Sequence, residues 1–452
     1  MSDNIMEIGR KLSECGCSCG KRHISSVKRV ITESGAINKL PEIIKGYNAE
    51  KVFIIADKNT YKAAGEQVCN ILQKSNICFS KYIYKTDTLA PDEKAIGDII
   101  MHYDSDCGII IGVGSGVIND IGKIVSKVAE KPYIIAATAP SMDGYASATS
   151  SMEVGGLKVS LSSRCADVII GDINILKNAP ERMLKSGLGD MLAKYISICE
   201  WRISNIINGE YYCEEVAELI RKALRCCAEN TQGLLLKNET AVKAVFEGLV
   251  LGGMAMEFAG LSRPASGVEH YFSHIWDMRG LEFDTDTDLH GIQCAIATLY
   301  ASRLYEQVKQ IIPDKAKAVA YAEKFDFAEW SKKLRGFLGK AAESMIEAEK
   351  NDKKYDPQKH HERLEVICEN WDEIVQIISE EIPSSEYIEN IMNEISMPKT
   401  ASEINIDPDI VPITFKATKD VRDKYVLSRL VWDLGIIDEL DYSCIKATSK
   451  NS

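Results

Sequence analysis

The sequence has no uninterrupted apolar run approaching the ~20 residues that a membrane-spanning helix requires, so no span is expected. It has no basic excess either. Its net charge is -12 at pH 7, and a polyanion needs clustered Lys and Arg, which argues against nucleic acid as the main partner. A local basic pocket for one small phosphate is compatible with that balance. The start of the chain, Met1-Ser-Asp-Asn-Ile-Met6, lacks the charged-then-apolar pattern of a signal peptide, which sets the expectation of a cytoplasmic protein. No low-complexity segment, internal repeat or long linker interrupts the sequence. The 14 cysteines do not suggest a disulfide framework, because a long chain without a secretion signal is expected to keep reduced thiols. Most stand singly. The exception is Cys15-Gly-Cys17-Ser-Cys19 followed by His23. Its one-residue spacing is tighter than that of zinc knuckles, and it reads as a surface or edge segment carrying reduced thiols.

The sequence is 452 residues long, beyond the size at which single cores usually divide. Two domains are expected, an α/β dinucleotide-binding domain over 1–182 and a helical metal- and substrate-binding domain over 183–452. The first part alternates β-rich apolar runs with amphipathic segments, the pattern of a doubly wound sheet. Strands are expected at Lys51–Ala56, Ile77–Tyr84, Cys107–Ile111, Tyr133–Ala137 and Asp167–Gly171. Three have the continuous apolar centre of strands buried on both faces. Val117–Val128 has helical apolar spacing, and 151–161 reads as a hairpin turning on Gly155-Gly156. After about residue 180 the pattern becomes helical. Glu214–Leu224 is half apolar, Ala241–Phe258 is apolar on most faces and reads as the central helix of a bundle, and 312–381 is charged with helical spacing. All five Trp lie after position 200, as a separate core would require. The tail after Lys446 is expected to fray.

Three motifs bear on chemistry. The first is Gly112-Val-Gly114-Ser115-Gly116, between an expected strand and helix. It is not the G-x-G-x-x-G fingerprint, which would need glycine at Val117 or Asn119, but it has the same physics: a close turn and the unpaired amides of a helix start, suited to a pyrophosphate. Alone it is as often a tight βα turn. Two companions strengthen it. Asp57 ends a strand where a carboxylate can accept both ribose hydroxyls, and Thr138-Ala-Pro140-Ser141-Met-Asp143-Gly follows another strand at the sheet's carboxyl edge. The second motif is Gly187-Leu-Gly-Asp190, and the third is His270, His274 and His290, three of the chain's seven histidines. An N-cap explains Asp190 alone, a satisfied core position explains His270 alone, and a turn position before Gly291 explains His290 alone. Together, one carboxylate and two imidazoles suit a divalent metal with an open position, whether zinc, nickel or iron. His270 and His274 share a helix face at a spacing of four.

Thr138-Ala-Pro-Ser-Met-Asp143-Gly-Tyr-Ala-Ser147, Gly187-Leu-Gly-Asp190, Ser262-Arg-Pro-Ala-Ser-Gly-Val-Glu-His270-Tyr-Phe-Ser-His274 and Leu289-His290-Gly resemble the sn-glycerol-1-phosphate dehydrogenase family. That family belongs to a superfamily with iron-dependent alcohol dehydrogenases, glycerol dehydrogenase and dehydroquinate synthase. The resemblance implies a dehydroquinate synthase-like α/β fold, with an N-terminal Rossmann-like parallel sheet followed by an all-α domain. It implies Asp190, His270 and His290 as metal ligands, and Asp143, His274 and Asp190 at the substrate. Asp190 and His274 are the implied catalytic residues. Gly114, Ser115, Gly116, Val117, Ile118, Thr138, Ala139, Pro140, Ser141, Ser147 and Asp57 are the implied contacts to NAD, with NADP as the alternative. The implied activity is reversible, metal-dependent reduction of dihydroxyacetone phosphate to sn-glycerol 1-phosphate, and the size of the helical domain sets the expectation of a homodimer.

The pattern departs at Ser115-Gly116, where relatives often carry Gly with Lys or Arg. Lys158, Arg263 and Arg279 are candidates for the substrate phosphate by nearness to the motifs in sequence. Glycerol dehydrogenase, acting on the unphosphorylated ketone, is the rival reading. A non-catalytic relative with a binding or regulatory role is a second, and the intact ligand set and glycine loop count against it. Dehydroquinate synthase fits less well, since its ligand set resembles Glu-His-His.

Overall fold

A computed structural model of the chain describes residues 5–14, 16–86 and 88–446. The apolar runs become strands: β1 (Arg29–Glu33), β2 (Lys51–Asp57), β3 (Cys78–Tyr84), β4 (Ile109–Gly114), β5 (Tyr133–Ala137), β6 (Thr149–Val154), β7 (Leu157–Ser162) and β8 (Val168–Asp172). Among the described residues six of them form one parallel sheet in the order β1-β8-β5-β4-β2-β3. Continuous burial of β2, β4, β5 and β8 follows from helices covering both faces, as their unbroken Ile and Val runs require. β1 is the strand the sequence pattern missed. β6 and β7 form the expected antiparallel hairpin, with Gly155 and Gly156 at φ of 59° and 76°.

Sheet order fixes where a ligand belongs. β2 and β4 are neighbours, yet the chain leaves β2 for β3 on one side and β4 for β5 on the other. Such a reversal opens a crevice at the strands' carboxyl ends, the usual ligand site of open α/β sheets. Asp57 ends β2 and Gly114 ends β4, so both stand at that reversal.

The chain divides into two compact units. The first comprises 1–191 and 215–261, the second 192–214 and 262–452. This differs from the expected division at 182/183, which would have put all the later helices in one domain. The Glu239–Ala259 helix forms as expected but packs within the sheet-bearing unit rather than at the centre of a separate bundle. Its glycines and aromatics explain this. Phe246 fills the space that a side chain at Gly171 of β8 would take, and Gly253 lets the helix meet the Asp143 carbonyl. Among its described residues the second unit holds helices and no strand, including Lys194–Asn208, Val268–Phe283 and His290–Val308. The charged stretch forms helices from Lys315 to Glu381, and all five Trp fall in this unit. Residues after Lys446 lie outside the described residues, as does Cys15. Among the described residues no helix is long and apolar enough to cross a membrane, and no cysteine is in a disulfide.

Candidate metal and dinucleotide site

In the first unit the glycine loop is built by close approach rather than by unusual backbone. None of Gly112, Gly114 and Gly116 has a positive φ. A Cβ on Gly114 would sit 2.5 Å from the Ile118 Cβ, so glycine there allows the Gly116–Ala129 helix to start directly on the strand end. Ile118 itself is buried, so it can meet a ligand only through its amide, one of the first-turn amides that lack intrahelical partners. Ser115 precedes this turn and its hydroxyl is 2.5 Å from that of Ser141. The Thr138 amide donates to the Gly114 carbonyl at 3.0 Å, which ties the end of β5 to that of β4. Tyr145 donates to the Ala139 carbonyl at 2.6 Å. Thus Gly114–Ile118 and Thr138–Ser141 come together at the sheet edge. Ser147 follows in the same segment, its hydroxyl 3.0 Å from that of Thr149.

Lys123, fully buried, clamps this segment by donating to the carbonyls of Gly144 at 3.2 Å and Thr149 at 2.5 Å while pairing with Asp120 at 2.9 Å. Asp57 has a local task. Its Oδ1 accepts from the amides of Asn59 and Thr60 at 2.7 and 2.9 Å, an N-cap at the end of β2. A ribose contact would therefore use Oδ2.

Asp190 is fully buried on the Glu181–Leu192 helix. Its Oδ2 accepts from the Asp143 amide at 2.8 Å, and the two carboxylates lie within 4.8 Å of one another. The helix reaches this position because of Gly187: a Cβ there would lie 1.9 Å from the Pro140 carbonyl oxygen. Ser186 binds the same loop, donating to the Ser141 carbonyl at 2.9 Å.

In the second unit His270, on the Val268–Phe283 helix, and His290, opening the His290–Val308 helix, face each other edge-on, with ring centroids 4.9 Å apart. The buried Glu269 carboxylate holds His270 Nδ1 at 2.8 Å, and the Ser273 hydroxyl holds His290 Nδ1 at 2.8 Å. Both partners sit on Nδ1, as the second-sphere partners of imidazoles that ligate a metal through Nε2 do. Cys294 adds a thiol 3.6 Å from His290 Nε2, and the three possible ligand atoms lie within 4.8 Å of one another. His274 is half-buried, its ring centroid 6.0 Å from that of His290. The donor set fits a divalent transition metal. Sequence reading missed Cys294, whose signal was its i, i+4 spacing from His290, and the orienting groups Glu269 and Ser273.

Burial perturbs the surroundings. Glu200 accepts from the amides of Val268 and Leu427 at 2.9 and 2.8 Å, and its pKa is pushed up to about 8 by burial and by the neighbouring Glu269. Lys424 donates to the Ser266 carbonyl at 2.9 Å, and burial, with Arg263 and Arg422 nearby, lowers it to about 7.

Two of the three phosphate candidates are otherwise employed. Arg263, 1% exposed, binds the Glu210 carboxylate, the Tyr425 carbonyl and the Ser204 hydroxyl. Arg279 donates to the Phe337 carbonyl and stacks on Phe283 and Phe337 at 4.7 and 4.4 Å. Nearness in sequence suggested them, and packing withdraws them. Lys158 remains, paired with Glu153 across the hairpin.

A parallel sheet with its reversal at β2 and β4, joined in one chain to helices bearing paired imidazoles, defines the class of the iron-containing alcohol dehydrogenases. Residues 31–180 match the family described as "Iron-containing alcohol dehydrogenase". The glycerol-1-phosphate dehydrogenase [NAD(P)+] of Halalkalibacterium halodurans is 33% identical over 309 residues, covering 68% of this chain and 77% of that relative. A Thermococcus sibiricus protein of the same name is 35% identical over 256 residues, 57% of this chain and 71% of its own length. The chain belongs to the glycerol-1-phosphate dehydrogenase family. Glycerol dehydrogenase from Schizosaccharomyces pombe shares the fold at a TM-score of 0.60 and 15% identity, over 92% of this chain and 90% of its own.

Proposed function

We propose that this protein catalyses the reversible NAD(P)H-linked reduction of dihydroxyacetone phosphate to sn-glycerol 1-phosphate. The 33% identity to a relative of that named activity, with the motif residues in place, carries the reading. We assign Asp190, His270 and His290 as the metal ligands. A bound divalent ion supplies Lewis-acid stabilisation of the charge that develops on the carbonyl oxygen during hydride transfer. Zinc, nickel and iron all suit one carboxylate and two imidazoles.

The chain's own residues do the rest. Glu269 and Ser273 engage Nδ1 of His270 and His290, which favours the tautomer that ligates a metal through Nε2. The Asp143 amide fixes the rotamer of Asp190, and the Asp143 carboxylate beside it accepts a substrate hydroxyl. His274 orients a second hydroxyl or relays the proton that the alkoxide takes up. First-turn amides of Gly116 to Ile118 receive the cofactor pyrophosphate, with Thr138, Ala139, Pro140, Ser141 and Ser147 lining the neighbouring segment. Asp57 Oδ2 accepts a ribose hydroxyl and repels a 2′-phosphate, which favours NADH over NADPH. Homodimeric assembly and a cytoplasmic location belong to the same proposal.

The test follows NADH oxidation by the purified protein with dihydroxyacetone phosphate and, separately, with dihydroxyacetone. Turnover of the phosphate ester with little on the free ketone is expected. Turnover of the free ketone alone would move the assignment to glycerol dehydrogenase, and turnover of neither would remove it.

A further inference from the structure

We propose that Cys17, Cys19 and His23 form a second metal site, structural rather than catalytic, that takes zinc or a similarly thiophilic divalent ion. The two sulfurs and a ring nitrogen of His23 lie within 4.8 Å of one another. His23 is 0% exposed, which a surface segment carrying reduced thiols does not predict. Its Nδ1 is 3.0 Å from the Phe258 carbonyl near the end of the Glu239–Ala259 helix, and its Nε2 is 3.4 Å from Cys19 Sγ. With Nδ1 protonated toward the carbonyl, Nε2 presents its lone pair to the thiols. This is how a backbone carbonyl orients a metal-binding imidazole. Cys17 donates to the Glu215 carboxylate at 2.6 Å, and the Ser18 hydroxyl donates to the same group. Glu215 therefore sets an oxygen beside the Cys17 sulfur, from where it can serve as a further donor.

Two thiolates, an imidazole and a carboxylate make a soft, compact set that favours zinc over magnesium or calcium. The tight spacing that spoke against a zinc knuckle is accommodated because His23 follows four residues after Cys19 and Glu215 comes from distant sequence, with no second knuckle half. Loading forms two metal–sulfur bonds and releases two thiol protons to solvent, with no change of oxidation state. The segment around 17–23 has no regular secondary structure of its own beyond turns. A metal there would fasten it to the helices that begin at Glu214 and end at Ala259, adding binding free energy to the stability of this unit.

Full-length protein is stripped with chelator and reloaded with Co2+ as a spectroscopic stand-in for zinc. The expected result is two equivalents per chain, with a thiolate-to-cobalt charge-transfer band that persists in Asp190→Asn and in Cys294→Ser. That band should vanish in the Cys17→Ser/Cys19→Ser double variant, whose zinc affinity should fall about 100-fold or more by chelator competition. NADH-linked turnover of the double variant should persist, so this site and the catalytic reading fail independently. Should the double variant not fold, Cys19→Ser alone is expected to weaken the band and His23→Cys to keep it. A single equivalent that disappears with Asp190→Asn, or a thiolate band indifferent to substitution at 17 and 19, would overturn the proposal.

Discussion

Gly187→Ala adds one methyl group to a helix and should disable the enzyme. The new Cβ would lie 1.9 Å from the Pro140 carbonyl oxygen and 3.1 Å from Leu249 Cδ1. An ordinary carbon–oxygen contact is about 3.3 Å, so helix and loop must part by roughly 1.4 Å. The obstacle is backbone, not a flexible side-chain end, so the cost belongs near the top of the overpacking range, about 3 kcal/mol. Alanine regains about 1 kcal/mol of helix propensity over glycine. The net loss is then about 2 kcal/mol, a fall in melting temperature of roughly 4–8 °C for a unit of this size. Activity should suffer more than stability. Asp190 stands three residues along the same helix, and Pro140 belongs to the proposed cofactor segment. A displacement of this size costs about 100-fold in turnover when it falls on positioned groups. Thermal melting and NADH-linked kinetics on the same preparation give both numbers. A variant with wild-type melting and wild-type kcat/KM would refute the reasoning, because it would mean that the close approach is not needed.

Other substitutions probe separate links. Ser273→Ala removes the partner of His290 Nδ1 and should weaken catalytic metal binding by about 10- to 100-fold with little change in melting, measured by chelator competition. Glu200→Gln should remove a pH dependence. Because the folded-state pKa of Glu200 is raised from 4.5 to about 8, the wild type loses stability as pH rises through that window and levels off above it. The variant should gain on the wild type over the same window in denaturant titrations, and a pH-independent difference would contradict the burial argument. Arg263→Met strands the Glu210 carboxylate and should destabilise the protein by about 3 kcal/mol while leaving KM for dihydroxyacetone phosphate unchanged, whereas a phosphate-binding arginine would raise KM.

Those residues also mark how far the sequence could be read. Strands such as Ile109–Gly114 and Tyr133–Ala137 were legible because burial on both faces leaves an unbroken apolar run. β1, Arg-Val-Ile-Thr-Glu, was not, because an edge strand only two apolar residues deep carries no periodic signal. The Glu239–Ala259 helix was recognised but misplaced: apolarity on most faces says that a helix is covered, not by what. The histidines, Asp190 and Asp143 stood out by residue type and motif. Their orienting partners did not, since Ser273 meets His290 only where two helices pack, and Gly187 acquires its meaning from a carbonyl 47 positions earlier. Arg263 and Arg279 failed for the converse reason. Proximity to a motif in sequence says nothing about which carboxylate, carbonyl or aromatic ring already holds a guanidinium.

The central claim is that Asp190, with His270 and His290, holds the metal on which catalysis depends. Asp190→Asn keeps the side-chain shape and an oxygen for the Asp143 amide while removing the charge that binds a cation. Metal content and NADH oxidation with dihydroxyacetone phosphate should be measured on wild type and variant, each stripped and then reloaded with zinc, nickel or iron. The account predicts that the stripped wild type is inactive and recovers on reloading, and that the variant loses the catalytic equivalent of metal together with its turnover. Full activity in the stripped variant would contradict it.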